Sequence, residues 1–229
     1  MAEQPDKQSL RNENTYVLVW DIPTRLFHWI VVVLVFVSWL SADQGYMQVH
    51  LWSGLSLLAL LLFRLIWGLF GSTTSRFSSF VRPLPQVIRY LKGMAGGNKL
   101  LYAGHNPAGG LMVIALLGVL LAQAVTGLFA TDGVRFTAPL SFWITEEASV
   151  EVTNWHGMIF NIILLLVWFH VVAVGFYLWV KGDNLIRPML TGRKHRAHVP
   201  ESLEIVFAHP VIALGVLFCT VALVAFVAF

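Results

Sequence analysis

Residues 152–180 read VTNWHGMIFNIILLLVWFHVVAVGFYLWV. An apolar helix needs about 20 residues to cross the hydrocarbon core of a bilayer. This run is longer and holds no Asp, Glu, Lys or Arg. It does hold two histidines, His156 and His170, fourteen positions apart. At about 100° per residue that spacing falls about 40° short of four whole turns, so both rings leave nearly the same face. At a rise of about 1.5 Å per residue they stand about 21 Å apart along the axis.

Four more runs are long and apolar enough to cross: Pro23–Ala42, Met47–Phe70, Pro107–Thr131 and Pro210–Phe229. The chain is 57% hydrophobic and 12% charged, with a mean hydropathy of +0.73, whereas soluble domains carry about 25% charged residues. Lipid leaves backbone groups no outside partners, so such runs must be helices. Pro23, Pro107 and Pro210 stand at helix starts, where a missing N–H costs nothing, and Asn106 is a candidate N-cap. The expected fold is an all-α membrane protein, a four-helix transmembrane bundle with a fifth C-terminal transmembrane helix. Residues 1–22 read as a cytoplasmic N-terminal segment, 23–195 as the transmembrane domain and 196–229 as an extension with the fifth helix. The first twenty residues show no cleavable signal pattern, so the first run is expected to stay as an anchor. One cysteine, Cys219, cannot form an internal disulfide, and no CxxCH occurs to attach a c-type haem.

Charge alternates from loop to loop. Lys7, Arg11 and Arg25 precede or open the first run, and Asp43 is the only charge in the first loop. The second loop holds Arg76, Arg82, Arg89, Lys92 and Lys99 with no acid. The third holds Asp132, Glu146, Glu147 and Glu151 against Arg135 alone, and the fourth holds Lys181, Arg187, Arg193, Lys194 and Arg196. The positive-inside rule places the N-terminus and the second and fourth loops in the cytoplasm. The pI of about 9.2 thus reflects topology and contact with membrane lipid, and no nucleic-acid partner is expected. Within the second loop, Val87-Ile88 and Tyr90-Leu91 suggest a short amphipathic surface helix.

Ionisable residues inside membrane spans are functional candidates by default. Four histidines qualify. His28 and His170 share the inner half of the membrane, while His50 and His156 share the outer half. Each pair draws its members from two helices, as a bis-imidazole haem held between helices requires. A b-type iron with two imidazoles has no open coordination position, so its natural work is one-electron transfer. Two readings compete with this one. The histidines can be structural, hydrogen-bonded within the bundle, or the chain can be a metal transporter, which would usually add Asp, Glu or Cys to its spans.

The stretch Val19-Trp20-Asp21-Ile22-Pro23-Thr24-Arg25-Leu26-Phe27-His28-Trp29 resembles the opening of bacterial cytochrome b561-type proteins, a family shared with the cytochrome b subunit of nickel–iron hydrogenases. Phe63-Arg64-Leu65-Ile66-Trp67-Gly68, Gly104-His105-Asn106-Pro107-Ala108-Gly109-Gly110, Thr126-Gly127-Leu128-Phe129, Asn184-Leu185-Ile186-Arg187 and Thr191-Gly192-Arg193-Lys194 match it further, over roughly residues 16–195. The resemblance implies a four-helix bundle with two haem b, ligated by His28 with His170 and by His50 with His156. It also implies electron exchange between a quinone pool and a redox partner, often periplasmic, such as a cytochrome c or a hydrogenase-like subunit. The fifth run departs from the four-helix pattern.

Other residues carry two readings each. His105 can line a quinone site or hold a haem propionate, or simply start a helix at the interface. Arg64 and Arg25 can neutralise propionates or snorkel to the interface. Gly109-Gly110 lets helices approach closely. The acidic third loop can steer a basic partner or merely obey topology. Trp143 and Trp155 read as interfacial anchors, and the Arg193–His198 tract as a lipid-facing basic patch. His195, His198 and His209 are left outside the haem sites. The expected function is transmembrane electron transfer in a bacterial inner membrane. The alternatives are a stand-alone quinone-coupled oxidoreductase such as a superoxide oxidase, or a non-redox transporter or assembly protein.

Overall fold

The computed structural model describes residues 16–95, 101–134, 136–200 and 204–229. Lys7, Arg11, Lys99 and Arg135, on which part of the loop-charge pattern rests, lie outside them. Strand β1 (Tyr16–Leu18) precedes two long helices, α1 (Ile22–Asp43) and α2 (Met47–Phe70). Two short ones, α3 (Phe77–Phe80) and α4 (Leu84–Ala95), lead to α5 (Pro107–Gly127) and α6 (Glu146–Trp179). The chain closes with α7 (Ile186–Thr191), β2 (Arg193–His195) and α8 (Pro210–Ala228). Helices α1, α2, α5, α6 and α8 are long and apolar enough to cross a membrane.

Local chemistry sets most of these starts. The Asp21 carboxylate accepts from Thr24 N at α1, with Pro23 in the first turn. The Asn106 side chain accepts from Gly109 N at α5, and His209 Nδ1 from Val211 N at α8. Each satisfies a backbone N–H that has no intrahelical partner. Helix α6 begins at Glu146 instead of near Val152. Thr145 caps it by accepting from Ala148 N, with Glu146 and Glu147 in the first turn, where carboxylates favour the positive helix end. Hydropathy marks only the part that lipid covers. The whole of α6 is about 51 Å long, against about 30 Å of hydrocarbon. Helix α5 stops at Gly127, short of Thr131, because Thr131 bridges Thr137 across the loop and donates its N–H to Thr153 Oγ1 on α6.

Helix α2 is the hub. It packs against α1, α5 and α8, while α5 also packs against α6. Val31, Leu57, Leu61, Leu117, Leu120 and Ile163 form the central apolar cluster. Helix α8 covers another side of α2, with Val224 joining Leu55, Leu58 and Ala59 and Ala213 joining Phe63 and Trp67. The fifth helix is therefore part of the packed bundle. The expected amphipathic surface helix is α4, which buries Val87.

One end of the bundle, here the N-terminal face, is tied by a strand pair. Tyr16–Leu18 runs antiparallel to Arg193–His195. Gly192 ends α7 in the left-handed region at φ 80°, and its carbonyl accepts from Val19 N and Trp20 N. That pairing joins the two ends of the resembling stretch and crosses the boundary drawn at residue 22.

Gly110 shows how tight the contact between α3 and α5 is. A Cβ there would stand 2.7 Å from the Phe80 carbonyl oxygen, whereas a Cβ on Gly118 would meet nothing within 4 Å. Gly110→Ala is therefore expected to destabilise the protein by about 1–3 kcal/mol, seen as a lower unfolding temperature in detergent. Gly118→Ala should leave that temperature unchanged or raise it, since alanine is the better helix former by about 1 kcal/mol.

Candidate electron-transfer site

The long helices place the four histidines at two levels. On α6, His156, Ile163 and His170 follow at seven-residue steps, and on α2 so do His50, Leu57 and Arg64. Seven residues are close to two turns, so each trio lies along one helix face. Leu57 and Ile163 meet in the central apolar cluster. A dry layer thus separates a level near the N-terminal face from a level near the opposite face.

At the opposite-face level the rings of His50 and His156 have centroids 6.0 Å apart at an interplanar angle of 82°. His50 Nδ1 lies 2.8 Å from the Ser38 carbonyl oxygen. A carbonyl only accepts, so Nδ1 carries the proton and Nε2 keeps its lone pair. His156 Nδ1 lies 3.2 Å from Thr126 Oγ1. That hydroxyl donates to the backbone carbonyls of Ala122 and Gln123, so its oxygen accepts from the imidazole. Both rings therefore present a bare Nε2, the form a metal binds, with the other nitrogen fixed by a hydrogen bond. A cavity of about 320 Å³ opens between the helices here, lined by His50, His156, Gly54, Gly127 and Gly157 among apolar side chains. A Cβ on Gly54 or Gly157 would meet nothing, while one on Gly127 would press on His156 Cε1 at 3.0 Å.

At the N-terminal-face level His28 and His170 have ring centroids 6.3 Å apart at 52°. With a metal–nitrogen bond of about 2 Å and the ring centre about 1 Å behind the nitrogen, two imidazoles on one iron stand about 6 Å apart. Both pairs meet that separation. The residues present therefore fit a b-type haem at each level, on ring separation at both and on tautomer and cavity at one.

Polar groups surround the second pair. Arg64 is 2% exposed. Its Nη2 donates to the Ser75 carbonyl, its guanidinium lies over the Phe77 ring, and Nη1 is buried with no hydrogen-bond partner. Snorkelling therefore does not describe Arg64. The Nδ1 atoms of His28 and His105 are buried and unpartnered as well. His105 packs between the rings of Trp20 and Phe80. Burial first, then the charges of Arg64, His170 and His28, push it down to about 3, so it is neutral at physiological pH and can offer one N–H but no charge. Arg25 is drawn to the surface layer, where Nη1 donates to the Leu190 carbonyl at 2.6 Å.

Several contributors carry no signal of their own in the sequence. Ser38 and Ser75 reach His50 and Arg64 through backbone carbonyls, which any residue could supply, and Thr126 acts through one hydroxyl, an ordinary feature of an apolar run. Asp21 does more than cap α1. Its carboxylate also accepts from Trp67 Nε1 and Ser75 Oγ, bonding the opening motif to the Phe63–Gly68 motif. Tyr177 lies seven residues beyond His170, in contact with the Tyr90 hydroxyl and accepting from Asn106 Nδ2. His195 and His198 stand in the surface layer, where His198 Nδ1 meets Asp183.

The sequence profile described as prokaryotic cytochrome b561 matches residues 19–192. A search of curated proteins returned no match. The matched span contains both histidine pairs and stops before α8.

Losing the hydrogen bond that orients an imidazole typically costs 10–100-fold in metal affinity. Thr126→Val should therefore weaken haem retention at the His50/His156 level by about that factor, measured by haem transfer to an acceptor protein. Retention at the His28/His170 level should be unchanged.

Proposed function

The chain belongs to the prokaryotic cytochrome b561 family of membrane electron-transfer proteins, and from that premise we propose that it conducts electrons across a bacterial inner membrane through two bis-histidine b haems. His28 and His170 would hold one, His50 and His156 the other. The observation that carries the reading is the pair of ring separations, 6.3 and 6.0 Å, at two depths of one bundle.

A b haem supplies a one-electron couple at an iron whose two axial positions are both taken. The chain's own residues do the rest. Ser38 and Thr126 take up Nδ1 of His50 and His156 and leave both Nε2 atoms bare for a metal. Leu57, Leu61, Leu117, Leu120 and Ile163 keep the space between the levels free of water.

The surface charges support one sidedness. Among the described residues the N-terminal face presents Arg76, Arg82, Arg89, Lys92, Lys181, Arg187, Arg193 and Arg196 against Asp183 and Glu204, and the opposite face presents Asp43, Asp132, Glu146, Glu147 and Glu151. We assign the basic face to the cytoplasm. The overhang of α6 then carries its acids to the periplasmic side, where they favour a basic redox partner such as a cytochrome c or a hydrogenase-like subunit. Quinone dissolved in the bilayer is the exchangeable partner.

The purified protein is expected to give sharp reduced α-bands and about two b haems per chain as pyridine haemochrome. His50→Ala and His156→Ala should remove one spectral component, and His28→Ala and His170→Ala the other. A colourless protein would end the reading. If His50→Ala and His28→Ala abolished the same component, the pairing would be wrong.

A further inference from the structure

Building on the two-haem reading, we propose that Arg64 is a fixed cation that makes the cytoplasmic site the stronger electron acceptor and so directs electrons inward, from a periplasmic donor to quinone. Three observations carry it. Arg64 sits fourteen residues after His50 on α2, as His170 sits fourteen after His156 on α6, so it reaches the level of the His28/His170 pair on the face that His50 uses. It is 2% exposed, and Nη1 has no hydrogen-bond partner. Among the described residues no carboxylate forms an ion pair with it, the two found both being on Asp183. Asp21 is the acid whose charge acts on it, but the Asp21 oxygens are already held by Thr24 N, Trp67 Nε1 and Ser75 Oγ.

The other level is built differently. The cavity beside His50 and His156 is lined by apolar side chains with Ser38, Gln123, Thr131, Asp132 and Thr153, and by no described lysine or arginine. Adding an electron to a site lowers its charge by one, and a buried cation favours that state strongly in a low-dielectric interior. The site beside Arg64 therefore holds an electron more tightly than the site whose described lining has no lysine or arginine. An electron moved toward a negative cytoplasm climbs the membrane potential, and a tighter acceptor on that side offsets part of the climb. The balance is simple. A reduced periplasmic donor gives up two electrons, one at a time, and one quinone takes them with two protons to become quinol.

The test is a spectroelectrochemical titration of haem-loaded protein. His156→Ala, which leaves the cytoplasmic site, should titrate at a higher potential than His170→Ala, which leaves the periplasmic one. Arg64→Gln should cost the cytoplasmic component at least tenfold in electron affinity, a fall of about 59 mV for one electron, and leave the other component in place. Arg64→Lys should retain most of the potential. It serves as the deciding variant if Arg64→Gln fails to hold haem, because a purely packing role for the side chain would not preserve a potential when only the charge is kept. Reversed order in the two histidine variants, or equal shifts of both components in Arg64→Gln, would overturn the proposal while leaving the two-haem reading intact. Loss of all haem from the parent protein would remove that reading first.

Discussion

Two imidazoles facing each other from different helices, at the separation that one iron demands, are the constraint around which the bundle is organised. Helix α6 meets it twice because fourteen residues return a side chain to nearly the same face. Helices α1 and α2 each meet it once, at opposite depths. The middle of the bundle then has to be dry, and the seven-residue steps through Leu57 and Ile163 supply that layer. The chain invests in orientation at the His50/His156 pair, where Ser38 and Thr126 fix the tautomers. It invests in charge at the His28/His170 pair, where Arg64 is buried.

The N-terminal-face end of the bundle carries more scaffolding than the other, and the motif residues provide it. Asp21 caps α1, then reaches Trp67 on α2 and Ser75 beyond it. Ser75 also meets Thr24 through its hydroxyl and Arg64 through its carbonyl. The Gly192 carbonyl takes two backbone donors from Val19 and Trp20. These bonds fasten α1, α2 and the segment after α6 to one another at the N-terminal-face end of the bundle. A buried arginine is costly unless its surroundings are rigid and polar, and this network is what makes Arg64 tolerable there.

Much of this was legible in the residues themselves. Apolar runs located all five spans, since lipid permits nothing but helix, and the depth of each histidine anticipated which rings would meet. The start of α6 was placed too late, because hydropathy measures contact with lipid, whereas Thr145 and the following glutamates extend the helix into water. The end of α5 was placed too late because Thr131 prefers a bridge to Thr137. Arg64 was readable as near the inner histidines, but its burial was not, since that depends on Phe77 and Ser75 folding back over it from beyond the helix end. The Thr126 hydroxyl cannot be told in sequence from the many that merely satisfy a helix carbonyl, and the contact to His50 is made by the Ser38 backbone carbonyl, which any residue would supply.

The most direct test is an anomalous map at the iron edge from crystals of the haem-loaded protein. The account predicts two iron peaks stacked about 21 Å apart along α6, one between His28 and His170 and one between His50 and His156. A single peak, or a peak lying away from either ring pair, would contradict it.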